Sequence, residues 1–262
     1  MGLKRAGKAD FHFFRNLVRR QVRQDYLENV TGFAWLVLQP LVLLAVYSFV
    51  FTSIFKSRIP DSEVSFVAYL AIAFWPWTAF ADGILKGSQA ISGNASLIGK
   101  VALATEQLPL AVVTATFLMN MVGYLAVLLV LQLLGTPIHW LYLPLVIPVL
   151  LMLWLFGAAI ALFASALQVF IKDVAQILPP LVTLWFFTTP ILYSPAQLTP
   201  GLAALMEWNP MSWFMHQLRE LLLFGRFDWG LDALVTLVLV LVVATLSLVF
   251  FRRFGGHFED FL

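Results

Sequence analysis

The feature that most constrains the fold is a stretch without any Asp, Glu, Lys or Arg, which runs from residue 107 to residue 171. A helix crosses a bilayer core of about 30 Å with roughly 20 apolar residues, so this stretch is too long for a single membrane span. Residues 135–137, Gly-Thr-Pro, supply a turn near its middle. We therefore predict a hairpin of two membrane spans, at residues 108–134 and 141–170.

Composition supports lipid as the solvent for most of the chain. Of its 262 residues, 61% are hydrophobic and 11% are charged, whereas a soluble domain carries roughly 25% charged residues. Charged residues then delimit further spans at 33–55, 64–81, 177–193 and 233–251. We predict an all-α, polytopic membrane protein with about six transmembrane helices. It forms one transmembrane domain over residues 1–262, with the spans in 33–251 and a cytoplasmic tail at 252–262.

The distribution of Lys and Arg predicts the orientation in the membrane. If the N-terminus is inside, twelve of the sixteen Lys and Arg residues lie on the inner side and four on the outer side. Basic residues accumulate in cytoplasmic loops. We therefore expect a multi-pass protein of the cytoplasmic (inner) membrane with both termini in the cytoplasm.

The N-terminal segment, residues 1–32, precedes the first span and contains an amphipathic pattern at 10–27. Phe11 and Phe14 lie on one helical face, while Arg19 and Arg23 lie on the other. This pattern is typical of a helix that lies in the membrane interface with its basic side toward anionic headgroups. The alternative is a basic flank that only holds the N-terminus inside.

The outer segment at 194–232 is too apolar for an ordinary loop. Asn209 followed by Pro210 is a helix start signal, and Phe214 and Leu218 belong to one apolar stripe that ends near Gly225. The stripe predicts a short amphipathic helix. It either dips back into the outer leaflet as a re-entrant helix or lies flat on the outer surface.

Chemistry-bearing residues are scarce inside the predicted spans. Asp82, at the inner end of the second span, is the one acidic residue, and the spans hold no His. Ion-coupled transporters usually carry such groups within the membrane, where they are costly and therefore functional. The chain also contains no Cys. We expect no metal, no cofactor in this chain, no catalytic site and no nucleic-acid partner.

The inner loop at 87–106 contains Gly99-Lys100, which invites comparison with a phosphate-binding loop. That motif needs a glycine where this chain has Asn94, and a Ser or Thr where it has Val101. The loop therefore does not predict a nucleotide site in this chain.

Several short segments occur in a defined order along nearly the whole chain. They are Arg19-Arg20 with Arg23, Gly32-Phe33-Ala34-Trp35, Gln39-Pro40, Phe74-Trp75-Pro76-Trp77-Thr78-Ala79-Phe80, Asn94 with Leu97 and Lys100, Leu108-Pro109, Lys172-Asp173, Thr189-Pro190-Ile191-Leu192-Tyr193, and Asn209-Pro210 with Arg219. Together they resemble the membrane subunit of type-2 ABC exporters, specifically the branch that exports polysaccharides such as O-antigen and teichoic acid.

The resemblance implies a homodimeric permease that works with two copies of a separate ATPase subunit, which uses ATP and Mg²⁺. It implies a lipid-linked polysaccharide as cargo, with membrane lipids around the protein. The residues expected to contact the ATPase are Arg19, Arg23, Asn94, Leu97 and Lys100. Those expected to form an outer gate between spans five and six are Asn209, Pro210, Phe214 and Leu218.

Aromatic residues at depth suggest a path for the cargo. Tyr47 and Phe51 lie one turn apart in the first span, and Trp185 and Phe186 lie in the middle of the predicted fifth span. With the family resemblance, this predicts that the four residues line a channel between two subunits. The alternative is that they pack against lipid or neighbouring helices. For the whole chain, the alternatives are an ABC permease for a drug or lipid and a membrane enzyme acting on polyprenyl-linked sugars.

Overall fold

A computed structural model describes residues 3–27, 32–54, 64–96, 104–195 and 198–261. This part of the chain is helical apart from turns and connecting segments, which confirms the all-α, polytopic prediction. Its α-helices, in chain order, are α1 (Leu3–Val22), α2 (Gly32–Ser48), α3 (Phe66–Ser88), α4 (Gln107–Leu133), α5 (Leu143–Phe170), α6 (Val174–Phe187), α7 (Pro200–Glu207), α8 (Pro210–Arg219) and α9 (Leu231–Gly255).

The charge-free stretch folds as the predicted hairpin. Helices α4 and α5 begin and end within two residues of the expected spans. Gly135, in the turn between them, has φ of 92°, a left-handed conformation that glycine adopts without strain from a Cβ atom.

Helix α3 extends beyond its predicted end. It was expected to stop at residue 81 but continues to Ser88, so Asp82 and Lys86 lie inside it. A charged side chain marks the end of the apolar part of a helix, but the helix itself can continue beyond it. Lys86 donates from Nζ to the Asp25 carboxylate at 3.0 Å, which joins α3 to the short π-helix, Arg23–Leu27, that follows α1.

The predicted fifth span corresponds to a shorter helix. Helix α6 has 14 residues and a length of about 21 Å at 1.5 Å per residue, less than a bilayer core of about 30 Å. The Thr188 and Thr189 hydroxyls donate to the Trp185 carbonyl oxygen at 3.0 and 2.8 Å, and Pro190 then prevents another turn. Trp185 and Phe186 therefore lie in the last turn of α6, and Trp185 still lies level with the middle of α5, where its ring centroid is 6.0 Å from that of Phe156.

Five helical segments in the described residues are long and apolar enough to cross a membrane. They are α2 with its π-helical extension Phe49–Ile54, α3, α4, α5 with the preceding turn, and α9. The sixth crossing remains a prediction. Helix α3 is the most buried of the five and packs against α4 and α5, while α9 covers α5 and α1 lies against α4.

Prolines inside the spans leave backbone carbonyls without their helical partner, and neighbouring helices compensate. Pro76 has no N–H for the carbonyl of Ile72, and the Tyr124 hydroxyl of α4 donates to that oxygen at 3.1 Å. Pro40 likewise interrupts α2, and there Gly123 of α4 allows close approach. A Cβ atom on Gly123 would lie 2.8 Å from the Leu36 carbonyl oxygen.

Candidate functional site

A continuous line of aromatic rings crosses the face formed by α2, α3 and α6. We call it the aromatic row, and its members are Phe51, Tyr47, Phe74, Phe186, Trp77 and Trp185. Successive ring centroids are 5.0 to 6.3 Å apart, within the range in which aromatic rings attract one another. All four aromatic residues that the sequence suggested lie in this row.

Two members of the row come from α3 and were not singled out as site residues. Phe74 lies 5.0 Å from Tyr47 and 6.0 Å from Phe186, so it links α2 to α6. Trp77 contacts Phe186 and Trp185 at 5.8 and 6.0 Å. The Phe-Trp-Pro-Trp segment was noticeable in the sequence, but as part of a family pattern without a role for individual rings.

The row is partly accessible rather than sealed in the core. Tyr47, Phe51, Trp185 and Phe186 are each half-buried. A groove of about 280 Å³ lies between α3 and α6, lined by Phe74, Trp77, Thr78, Val182, Thr183 and Phe186. Rings that are fixed by their neighbours but open on one side can offer flat apolar faces to a ligand.

The row is joined to the outer segment through Asn209. The Trp185 Nε1–H donates to Asn209 Oδ1 at 2.9 Å, and the same oxygen accepts from the Met211 N–H at 3.0 Å as the N-cap of α8. The Asn209 Nδ2 donates to the Thr188 carbonyl and the Thr189 hydroxyl, both at 3.0 Å. The end of α6 and the start of α8 are thereby held together.

Helix α8 is buried on the face that the sequence indicated. Phe214 and Leu218 are fully buried, and Pro210 occupies the first turn, where its missing N–H costs nothing. The Phe214 ring stacks against Phe156 at 6.4 Å and 21°, close to the middle of α5. A helix lying flat on the outer surface would not reach that depth, so the geometry favours the re-entrant arrangement. Gly225, with φ of 60°, ends the segment as expected.

Arg219, at the end of α8, is a buried cation. Its side chain is 3% exposed, and its guanidinium lies 3.5 Å from the Tyr69 ring centroid. Nε donates to the Tyr69 carbonyl at 3.0 Å, Nη1 to that of Pro190 at 2.7 Å and Nη2 to that of Ile191 at 2.9 Å. Burial lowers the pKa of Arg219 to about 10, so it stays protonated at neutral pH.

The residues expected to contact an ATPase are partly described. Arg19 and Arg23 are exposed on α1 and its π-helical extension. Asn94 borders a narrow crevice together with Arg20, Gln21 and Gln24, so the inner loop lies beside the N-terminal helix. Leu97 and Lys100 lie outside the described residues. In the described part of the chain, no group of three His, Asp or Glu could hold a metal ion.

The apolar helices long enough to cross a membrane, with an aromatic row beside the buried helix α8, are typical of a membrane transport subunit. The chain belongs to the ABC-2 type transporter family, whose pattern matches residues 12–223. It is similar to the O-antigen export system permease protein RfbA of Myxococcus xanthus, with 32% identity over 199 residues, 75% of this chain and 74% of the relative.

Two Klebsiella pneumoniae proteins of the same name are 22% and 23% identical to this chain over 249 residues, 94% of this chain and 93% of each relative. The expected membership in the type-2 ABC exporters is therefore confirmed. The chain is a multi-pass transport subunit that works with an ABC ATPase.

Proposed function

We propose that this chain is the permease subunit of an ATP-driven exporter that moves a lipid-linked polysaccharide of the O-antigen type across the cytoplasmic membrane. It acts as a single permease domain, as a homodimer with two ATPase subunits, and with both termini in the cytoplasm. The observation that carries the proposal is the aromatic row, found in a chain whose similar proteins are named for O-antigen export.

The row suits a sugar polymer for chemical reasons. The C–H faces of sugar rings pack against aromatic faces, and such contacts are weak enough for each to be replaced by the next. Fixed charges near the path would hold a polar polymer in place, and the row itself contains none. We therefore assign Tyr47, Phe51, Trp185 and Phe186 to the channel wall, together with Phe74 and Trp77 of α3.

The outer gate is formed by α8, with Asn209 and Pro210 at its start and Phe214 and Leu218 in its buried face. The hydrogen bond from Trp185 to Asn209 gives a direct link between cargo and gate. A displacement of the Trp185 ring by cargo would strain the N-cap of α8. Occupation of the channel would then favour opening of the gate.

ATP binding and hydrolysis take place in the partner subunit, which uses ATP and Mg²⁺. The docking surface consists of Arg19, Arg23, Asn94, Leu97 and Lys100. The ion pair between Lys86 and Asp25 connects the N-terminal helices to α3, the helix that carries Phe74 and Trp77. Movement of the ATPase subunits can therefore reach the aromatic row through one helix.

The test is substitution of Tyr47, Phe51 and Phe186 by leucine, which keeps apolar volume and removes the ring. Phe49→Leu is the matched control, because Phe49 lies in the same helical segment as Phe51 but is 62% exposed outside the row. We expect the row variants to lose glycan export and glycolipid-stimulated ATP hydrolysis in the purified complex, while Phe49→Leu retains both.

Parental export by all row variants would refute the channel assignment. Stimulation of ATP hydrolysis by a lipophilic drug or a phospholipid, without stimulation by the glycolipid, would replace the proposed cargo. Hydrolysis by the isolated permease, without the partner subunit, would refute the division of labour between the two chains.

A further inference from the structure

Two helical stripes run side by side, and both carry polar residues in their inner halves. Phe51 and Phe66 meet at the outer ends of α2 and α3, with ring centroids 4.8 Å apart, so the two helices are antiparallel. Each stripe repeats every four residues, which places its members on one helical face. The α2 stripe is Trp35, Gln39, Leu43, Tyr47 and Phe51, and the α3 stripe is Phe74, Thr78, Asp82 and Lys86.

A cavity lies where the polar halves of the two stripes meet. It has a volume of about 250 Å³ between α2, α3 and α4, and we call it the inner vestibule. Its polar lining consists of Gln39, Thr78, Asp82, Lys86 and Asn120, and its aromatic lining consists of Trp35, Phe74 and Trp75.

The inner vestibule adjoins the aromatic row. Phe74 and Thr78 line both the vestibule and the groove between α3 and α6. A ligand leaving the vestibule would therefore meet the rings of the row next. The vestibule also contains Asp82, an acidic residue inside the membrane-crossing helix α3. An ionisable group within a membrane helix is costly and is by default a functional one.

The lining selects the chemical class of the ligand. Amide, hydroxyl and carboxylate groups exchange hydrogen bonds with several neighbouring hydroxyls, and the half-exposed indole ring of Trp35 offers a face for C–H groups. A phosphate would be repelled by the Asp82 carboxylate, and Lys86, which also lines the vestibule, is already paired with the Asp25 carboxylate at 3.0 Å. The volume is below the roughly 300–1,000 Å³ of typical ligand pockets, so the vestibule suits a single sugar ring.

We propose that the inner vestibule binds one sugar residue of the glycan before the chain enters the aromatic row. This inference rests on the proposed function, because it takes the exported glycan as the ligand. The Asp82 carboxylate accepts hydrogen bonds from the sugar hydroxyls, the Gln39 amide both donates and accepts, and Trp35 contacts a face of the ring. The polar site fixes the start of the glycan, and the uncharged row then lets the polymer slide.

The test is photocrosslinking in cells that make the glycan and contain the complete transporter. A diazirine-bearing amino acid is placed at Met119, which lines the vestibule, or at Val122, which is exposed on the same helix outside it. A third position is Thr183, which lines the groove of the aromatic row. We expect glycan adducts, recognised by their sensitivity to periodate, at Met119 and Thr183 but not at Val122.

The three positions distinguish the sugar site in the vestibule from the glycan-export function as a whole. Adducts at Thr183 without adducts at Met119 would overturn the vestibule while the exporter assignment stands. Absence of glycan from both positions would overturn both. A phospholipid adduct at Met119 in place of glycan would show that the vestibule holds a lipid headgroup and would overturn its role as a sugar site.

A second measurement uses Gln39→Leu with the crosslinker at Met119. Adducts per molecule of membrane-inserted permease should fall about tenfold, as expected for the loss of hydrogen bonds to a single sugar ring. Leu38→Ala is the matched control, because Leu38 neighbours Gln39 but faces outward. Equal adduct yields from Gln39→Leu and the parent would contradict the assignment of Gln39 to the site.

Discussion

Replacement of Arg219 by methionine tests whether one buried cation holds the outer segment in place. The guanidinium joins three parts of the fold: α8, which carries it, the Tyr69 carbonyl of α3, and the turn after α6 with the Pro190 and Ile191 carbonyls. Methionine fills similar apolar space but offers no donor. The substitution therefore removes the connection and leaves the packing volume nearly unchanged.

The magnitude follows from the three acceptors. The Tyr69 carbonyl lies within α3 and keeps its helical hydrogen bond, whereas the Pro190 and Ile191 carbonyls lose their donor. Each buried carbonyl left without a partner costs about 1–3 kcal/mol. Part of this is offset, because the buried charge itself no longer has to be desolvated. We expect Arg219→Met to lower the free energy of unfolding by about 2–4 kcal/mol.

Lysine at this position keeps the charge but not the planar arrangement of donors, so it cannot reach all three carbonyls. Arg219→Lys should therefore fall between the parent and Arg219→Met. The matched control is Arg226→Met, because Arg226 is exposed and surface changes usually stay within about 0.5 kcal/mol. Thermal unfolding in lipid nanodiscs, followed by tryptophan fluorescence, measures the difference. Equal melting temperatures for Arg219→Met and Arg226→Met would refute the reasoning.

Three further predictions concern packing and topology. Gly123→Ala should destabilise the protein by about 1–3 kcal/mol, because the added Cβ would press on the Leu36 carbonyl and on Pro40 of α2. Gly93→Ala is the control and should have no such effect, because the space around Gly93 is open. Equal melting temperatures for the two variants would contradict this. Tyr124→Phe should cost about 1–2 kcal/mol in the same assay, since the carbonyl freed by the proline of α3 loses its donor; an unchanged melting temperature would show that another group satisfies it. Cysteine at Gly201 should react with an impermeant thiol reagent in intact cells while cysteine at Ser96 should not, and labelling of Ser96 would reverse the orientation.

Helices α4 and α5 could be predicted from sequence because the thickness of the bilayer and its exclusion of charge act on each segment separately. A bilayer excludes charged side chains and fixes how many residues a span needs, so a long charge-free stretch with one Gly-Pro turn has few ways to fold. The start and end of the α8 segment could also be predicted, because their signals lie within the segment itself. Asn209 caps its own helix, and Gly225 ends it with a left-handed backbone.

The ends of two other helices, α3 and α6, were predicted incorrectly from the sequence. Asp82 looked like the end of a span, but α3 continues past it because the carboxylate lines a polar cavity rather than facing lipid. The fifth span was expected to continue to residue 193, but α6 ends at Phe187, where threonine hydroxyls and a proline interrupt the backbone ladder. For α3, the neighbouring helices that enclose the cavity allow the helix to continue past a charge, whereas α6 is ended by the threonines and the proline of its own sequence.

The sequence is sufficient for the chemical character of the candidate site: aromatic rings in uncharged spans, a single intramembrane acid and a buried apolar helix after Pro210. Which rings touch was decided by tertiary structure alone. Phe74 meets Tyr47 and Phe186 because α2, α3 and α6 pack side by side, and no spacing within one helix encodes that neighbourhood. The same holds for Arg219, whose three acceptors come from distant segments. Periodicity acts over one helical turn, whereas a site shared by several helices depends on how their faces pack together.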